Sequence, residues 1–186
     1  ITLRAGFLMM CGGYYRYDQP YTPEFAGRER FVGRIVHPQH WPADLDVVGR
    51  RVVVIGSGAT AVTLVPELAR DAAQVTMLQR TPTYMITRPG RDALARRLFD
   101  RFGPRIGHAL TRWKNLLMGM LVFGLARRRP EAFKQRLVGW VRQQLPSGYD
   151  VGRHFTPPYR PWDQRLCLVP DGDFFQAIRA GRVDVV

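Results

Sequence analysis

The sequence predicts an α/β fold: a parallel, doubly wound sheet interrupted by a helical insertion. Three observations carry that prediction. An apolar run meets a glycine-rich turn, then a helical pattern and a second β-branched run, all within residues 52–80. Strand, helix, strand in that order is the unit from which parallel sheets are wound. From Pro89 to about Leu145 the strand signal vanishes and apolar residues recur at helical spacing. Two short apolar runs, "RLCLVP" and "RVDVV", then return.

The elements follow in order. Residues 5–11, "AGFLMMC", read as a strand, and Gly12-Gly13 turn the chain into a tyrosine- and proline-rich connector that runs through Pro42. A strand is expected at Val52–Ile55, a glycine turn at 56–58 and a helix from Ala59 to Arg70, kinked at Pro66. "AQVTMLQR" supplies the next strand, with β-branched residues and a polar end. Pro104, Pro130 and Pro146 divide the insertion into short helices, one of them marked by Phe133, Leu137, Val141 and Leu145 at intervals of four. "SGYDVGRHFTPPYRPW" reads as loop, and a short helix at 173–180 separates the last two strands.

Composition narrows the class. At 186 residues and 46% hydrophobic, the chain has enough apolar material for one domain or two small ones. It starts at Ile1, and apolar strand-like runs stand near both ends, so it reads as an internal piece of a longer protein. Cys11 and Cys167 are far apart in apolar contexts, which predicts buried, reduced thiols in the cytoplasm and no disulfide framework. The longest nearly apolar run, residues 115–126, falls short of the ~20 residues needed to span a bilayer. His37-x-x-His40 lacks companion Cys, Asp or Glu ligands, so no metal site is expected.

Charge is concentrated. Of the formal +13, residues 88–142 carry +11, with 14 of the 28 Arg and Lys and only three acids. "RWKNLLMGMLVFGLARRR" places apolar residues between basic ends, the pattern of an interfacial helix. A solvated basic face on helices that cap a site fits the same pattern, and peripheral membrane contact is the second reading. No nucleic-acid motif accompanies the charge, so no nucleic-acid partner is expected.

The turn "VVVIGSGATA" holds Gly56-x-Gly58-x-x-Ala61. Gly56 permits a tight exit from the strand, Gly58 admits a pyrophosphate to the backbone, and Ala61 keeps the helix close to the sheet. The N–H groups at Ala59 and Thr60 open the helix toward phosphate, and the Ser57 and Thr60 hydroxyls add donors. An NAD site would place Asp or Glu about 20 residues on. Here the second strand ends "LQRTPT", with Arg80 and Thr81 and no acid. A guanidinium suits a 2′-phosphate, which points to NADP(H); the competing reading is a solvated strand-end arginine.

Phe31-x-Gly33-x-x-x-His37-x-x-x-Trp41-Pro42, just upstream of this turn, resembles the fingerprint of flavin-dependent Baeyer–Villiger monooxygenases. "GSGATAVTLVPELA", "VTMLQRTPTY", "TRWKN", "LPSGYDV" and "PWDQRLCLVPDGDFFQAIR" extend the resemblance through essentially the whole chain. It implies a fragment of a flavoprotein with two dinucleotide-binding (Rossmann-like) domains. Residues 1–42 would end the FAD domain and form the linker. Residues 43–87 would begin the NADP domain, 88–150 would form the basic insertion, and 151–186 would return to the sheet. The fingerprint would coordinate cofactor binding with domain movement: Gly33 suits a turn or close approach, Trp41 anchors apolar area, and His37 hydrogen-bonds across the domain gap.

The same resemblance implies FAD and NADPH as cofactors and O2 as co-substrate. One oxygen would enter a ketone, or pass to sulfur or nitrogen in a thiocarbonyl or thioether substrate, by way of a C4a-peroxyflavin. Arg165 falls where the family has its catalytic arginine over the flavin. A fixed guanidinium favours the negative charge that develops there. From spacing alone, Arg165 is equally a partner for Asp163 or Asp171. Gln164 stands where many members have a lysine for the 2′-phosphate, which leaves more of that task to Arg80. The alternatives are a flavin monooxygenase restricted to heteroatoms, or an inactive truncated chain with residual NADP affinity. The cytoplasm, with or without membrane association, is the expected location.

Overall fold

A computed structural model describes residues 4–9, 11, 16 and 18–186. The chain divides into two units, Ile1–Asp46 and Val47–Val186.

The first unit is irregular, and its regular turns among the described residues are 3-10 turns at Arg28–Arg30 and Pro38–His40. The strand expected at 5–11 does not form at residues 5–9 or Cys11, and Met10 and Gly12-Gly13 lie outside the described residues. A strand is held by its ladder, and no described strand pairs with this segment. Phe7, Leu8 and Met9 are exposed as a result. Cys11 is exposed as well, contrary to the expected buried thiol, whereas Cys167 is buried. Order in this unit comes from polar ties. Arg34 grips Asp44 with two bonds of 3.1 and 3.0 Å, and the Gln39 side chain donates to the Arg16 carbonyl at 2.8 Å.

The second unit holds the sheet. β1 (Arg51–Ile55), α1 (Ala59–Asp71) and β2 (Gln74–Leu78) realise the predicted β-α-β. β1 and β2 pair in parallel, from Arg51 beside Gln74 to Ile55 beside Leu78. The helix continues through Pro66, which is buried with Ala61, Val62, Val65, Leu68 and Ala69 on its inner face. Spacing of three and four puts those residues on one stripe, so α1 lies on the sheet through that stripe.

β3 (Tyr84–Arg88) is a strand that the sequence reading missed, although Tyr, Ile and Thr are strand formers. It pairs in parallel with β4 (Leu166–Pro170), from Tyr84 beside Leu166 to Arg88 beside Pro170. Between them stand α2 (Ala93–Arg128), α3 (Pro130–Gln143) and α4 (Val151–Phe155). α5 (Asp173–Arg179) and β5 (Val183–Val185) close the chain, and β5 pairs in parallel with β2. The regular sheet pairs are thus β1-β2-β5 and β3-β4.

The prolines punctuate the insertion but do not cut it short. Gly103, at φ 74°, breaks α2 just before Pro104, and the next interruption is at Arg129–Pro130. Beyond Pro104 the helical run has no further proline and is rich in Leu, Met, Ala and Arg, so nothing stops it earlier. The break folds the two arms of α2 tightly together: a Cβ on Gly107 would stand 2.8 Å from the Phe99 Cα. The segment read as loop at 147–162 also holds α4, which Asp150 caps by accepting the Arg153 N–H at 3.0 Å.

The core joins these parts. Val65, Val75, Met77 and Val169 are buried beside Phe155, Phe174 and Phe175, whose rings meet edge-on at 5.8–6.3 Å. Each buried phenylalanine contributes about 1.5–3 kcal/mol. Leu137, Val141 and Leu145, three of the predicted stripe, are buried, while Phe133 meets the Trp162 ring at 6.0 Å.

Candidate functional site

The site is built on the end of β1. Gly56 sits at φ 129°, a conformation that side chains of L-residues rarely adopt, and its N–H donates to the Leu78 carbonyl at 2.8 Å. The chain thereby leaves β1 tied to the end of β2. Gly58 is the N-cap of α1, and the helix has neither a capping side chain nor an acid in its first turn. First-turn N–H groups have no partner within a helix, so those of Ala59 and Thr60 are directed out of its positive end. Both residues are exposed.

Arg165 lies over this turn. A Cβ on Gly58 would stand 3.4 Å from its Nη1. The two carboxylates that might have claimed the guanidinium are engaged elsewhere. Asp163 accepts from Arg127 Nη1 at 2.7 Å, and Asp171 accepts the Gly90 N–H at 3.0 Å. Gln164 and Arg165 are both exposed.

Arg80 also is exposed, and it makes no hydrogen bond or ion pair among the described residues. Ser57 is buried and its hydroxyl points inward, donating to the Thr81 carbonyl at 3.0 Å. The Thr83 hydroxyl, also buried, is 3.3 Å from Ser57 Oγ. Tyr159 closes the far side, its hydroxyl 3.2 Å from the Pro82 carbonyl and 3.4 Å from that of Arg165. Tyr84 holds Tyr159 in turn, donating to its carbonyl at 2.5 Å with the rings edge-on. Burial, then the proximity of Tyr159, Glu131 and Asp163, pushes the Tyr84 phenol up to about 12. The Cys167 thiol, next but one to Arg165, is pushed up by burial against the opposing pull of that cation.

The structure therefore brings Gly56, Ser57, Gly58, Ala59, Thr60, Thr81 and Arg165 into one neighbourhood. Thr83, Tyr84, Tyr159 and the Arg127–Asp163 pair escaped the sequence reading. Their roles are contacts between segments 26 to 77 residues apart, which no local pattern records. The one usable signal was the aromatic and proline content of "TPPYRPW".

The fingerprint residues belong to the first unit. A Cβ on Gly33 would fall 2.5 Å from the tip of the Phe31 ring, so the bare glycine makes room for that ring. His37 caps the turn at Pro38–His40, its Nδ1 accepting the Gln39 N–H at 3.2 Å. That bond fixes Nδ1 as the acceptor and leaves the proton of the neutral ring on Nε2. Phe31 and Trp41 are exposed. Among the described residues no three His, Cys, Asp or Glu side chains gather to hold a metal.

A parallel β-α-β unit with a bare glycine turn, an uncapped helix end and an arginine laid across it has the form of a dinucleotide-binding fold. The family model for flavin-binding monooxygenase-like proteins matches residues 5–112, and the chain belongs to that family. Among individual relatives, the FAD-containing monooxygenase EthA of Mycobacterium tuberculosis (strain ATCC 25618 / H37Rv) is 52% identical over 99% of this chain and 38% of its own length. AlmA of Acinetobacter sp, a probable FAD-binding monooxygenase, is 46% identical over 99% of this chain and 37% of its own. The chain thus spans less than two-fifths of the length of the curated relatives it matches. The crystal structure of OTEMO in complex with FAD and NADP shares the fold, with a TM-score of 0.66 at 19% identity over 89% of this chain and 39% of that one.

Proposed function

We propose that the whole protein is an FAD- and NADPH-dependent monooxygenase that places one oxygen atom of O2 into ketones, as a Baeyer–Villiger enzyme, or onto sulfur and nitrogen centres. The observation that carries the reading is the arrangement at the end of β1: Gly56 at positive φ, Gly58 uncapped, and Arg165 across its face. The donors there are N–H groups and cations, which suits a pyrophosphate. Arg80, free of partners among the described residues, suits a 2′-phosphate. The residues present therefore fit NADP(H), and Arg165 is the residue read toward the flavin.

NADPH supplies a hydride and FAD the means of activating O2. This chain's own part is to hold and to polarise. The amides of Ala59 and Thr60 receive the pyrophosphate, and Arg80 with Thr81 receives the adenosine phosphate. Gln164 adds an uncharged donor. Arg165 would present a fixed positive charge toward the reacting oxygen, and a cation already in place needs no reorganisation as negative charge develops. Phe31, Gly33, His37 and Trp41 would belong to the linker that precedes the NADP domain in the chain. Contact of α2 with an anionic bilayer surface is a further part of the reading, resting on exposed Trp113, Leu117 and Met120 beside basic Arg112 and Lys114.

Two measurements on the whole protein test this. Calorimetry should rank NADP+ above NAD+, and turnover of a simple cyclic ketone with NADPH should give a lactone. Sulfoxide from a thioether with no lactone from any ketone would support the heteroatom-restricted alternative. Co-sedimentation with phosphatidylglycerol vesicles, lost at high salt and insensitive to acyl content, would argue against insertion of α2.

A further inference from the structure

The Ser57 hydroxyl is turned away from the open face of the glycine turn. It has one proton, and that proton goes to the Thr81 carbonyl at 3.0 Å. Ser57 Oγ can then only accept from Thr83 Oγ1, 3.3 Å away. All of this is sheltered: Ser57 is 6% and Thr83 1% exposed. The residue just before Thr81 is Arg80, whose own side chain has no other anchor among the described residues. The Gly56 N–H bond to the Leu78 carbonyl fixes one end of this short segment, and Tyr159 reaches Pro82 on the other side. Between those points, Gln79 is held on the near side of Arg80 by its N–H to the Val186 carbonyl and its side-chain amide to the His154 carbonyl, both at 2.9 Å, and the Ser57 bond pins the peptide on the far side of the cation.

We infer that Ser57 is a selectivity-positioning residue: through its bond to the Thr81 carbonyl, it sets where Arg80 stands relative to the pyrophosphate turn. The two halves of the coenzyme are thereby held in one register, the pyrophosphate at Gly56–Thr60 and the 2′-phosphate at Arg80. This rests on the NADP reading given above. A pyrophosphate reports only on the turn, whereas the 2′-phosphate reports on the distance from the turn to Arg80. Loss of the Ser57 hydroxyl therefore acts on NADP+ and spares NAD+.

The test is calorimetry of NADP+ and NAD+ on the whole protein, using Ser57→Ala, Arg80→Ala and the double variant. Ser57→Ala should weaken NADP+ about tenfold, a part of the charge-assisted contact, and leave NAD+ within about twofold. In the Arg80→Ala background the same change should leave the NADP+/NAD+ ratio where it is, because its intermediary is gone. Equal weakening of both nucleotides by Ser57→Ala would overturn the inference and make Ser57 part of the turn's own integrity. A ratio shift that persists without Arg80 would overturn it too. Should Arg80→Ala itself leave the ratio untouched, the NADP reading fails first, which separates the two failures. If Ser57→Ala does not fold, Ser57→Cys keeps the volume with a weaker donor and should lower the ratio by a smaller factor.

Discussion

The Arg165 guanidinium lies across Gly58, 3.4 Å from the point where a Cβ would stand. This placement depends on what the neighbouring acids do. Asp163 is taken by Arg127 and Asp171 by the Gly90 N–H, so neither draws the cation away from the turn. Arg165, just before β4, is thereby left over the uncapped start of α1.

The two glycines of the turn should respond differently to an added methyl. Gly56→Ala forces a side chain into φ 129°, which costs about 1–3 kcal/mol. The thermal midpoint should fall by about 2–10 °C, with nucleotide binding lost alongside. Gly58 has φ −80°, open to any residue, and its Cβ would only touch the end of a flexible side chain. Gly58→Ala should therefore melt within about 2 °C of the parent while NADP+ binds about tenfold more weakly, because the methyl fills the anion's approach. Scanning calorimetry and titration together check this; a Gly58→Ala protein that binds NADP+ normally would contradict the site.

Much of this was legible in the residues. The glycine turn, the flanking strands and the stripe Leu137, Val141, Leu145 are local patterns with a period or a conformational demand behind them. What failed is also physical. A strand at 5–11 has the right composition but no described ladder to join, and composition does not encode a partner. β3 begins a short loop beyond β2, close behind Pro82, so its strand formers Tyr84, Ile86 and Thr87 did not register as a separate strand. Ser57 reads in the sequence as a phosphate donor, and the bond to Thr81, a contact spanning 24 residues, corrects that by turning its hydroxyl inward.

Arginine at 165 should be replaceable by lysine only in part. Lysine keeps the charge but loses the planar fork that lets one side chain serve two acceptors. Oxygenation monitored as product formed with NADPH should fall by about 10²–10³ in kcat for Arg165→Ala, the scale seen when a preorganised oxyanion donor is removed. Arg165→Lys should fall between that value and the parent. Equal kcat for Arg165→Ala and the parent would remove the residue from the reaction.

Arg127 should matter more to the site than to the fold. Its pair with Asp163 is partly exposed, and such pairs contribute about 1 kcal/mol or less. Without Arg127, however, the Asp163 carboxylate is released two residues from Arg165. Arg127→Ala should therefore barely alter the melting midpoint yet weaken NADP+ by about threefold to tenfold, as Asp163 competes for the guanidinium. Adding Asp163→Asn should restore binding, since an amide makes no ion pair. Failure of that second change to rescue would show that Arg127 acts by packing alone.

Tyr84 makes the stability of the site segment sensitive to alkali. Its phenol is buried, bonded to the Tyr159 carbonyl, and raised from 10.0 to about 12. Between those values the unfolded chain has released a proton that the folded chain retains, so fewer protons are bound on unfolding and stability falls as pH rises. The stabilising contribution is complete below about pH 10 and has gone once the pH passes about 12, a span on the order of 2–3 kcal/mol. Urea midpoints at pH 9 and pH 11.5 should differ accordingly. Tyr84→Phe should lower the midpoint at pH 9 by the loss of one hydrogen bond, about 1 kcal/mol, and flatten the decline above it. A residual slope will remain from Tyr149, whose phenol burial also raises. An unchanged slope in the phenylalanine variant would show that Tyr84 ionises freely and does not clamp the loop between Arg80 and Arg165.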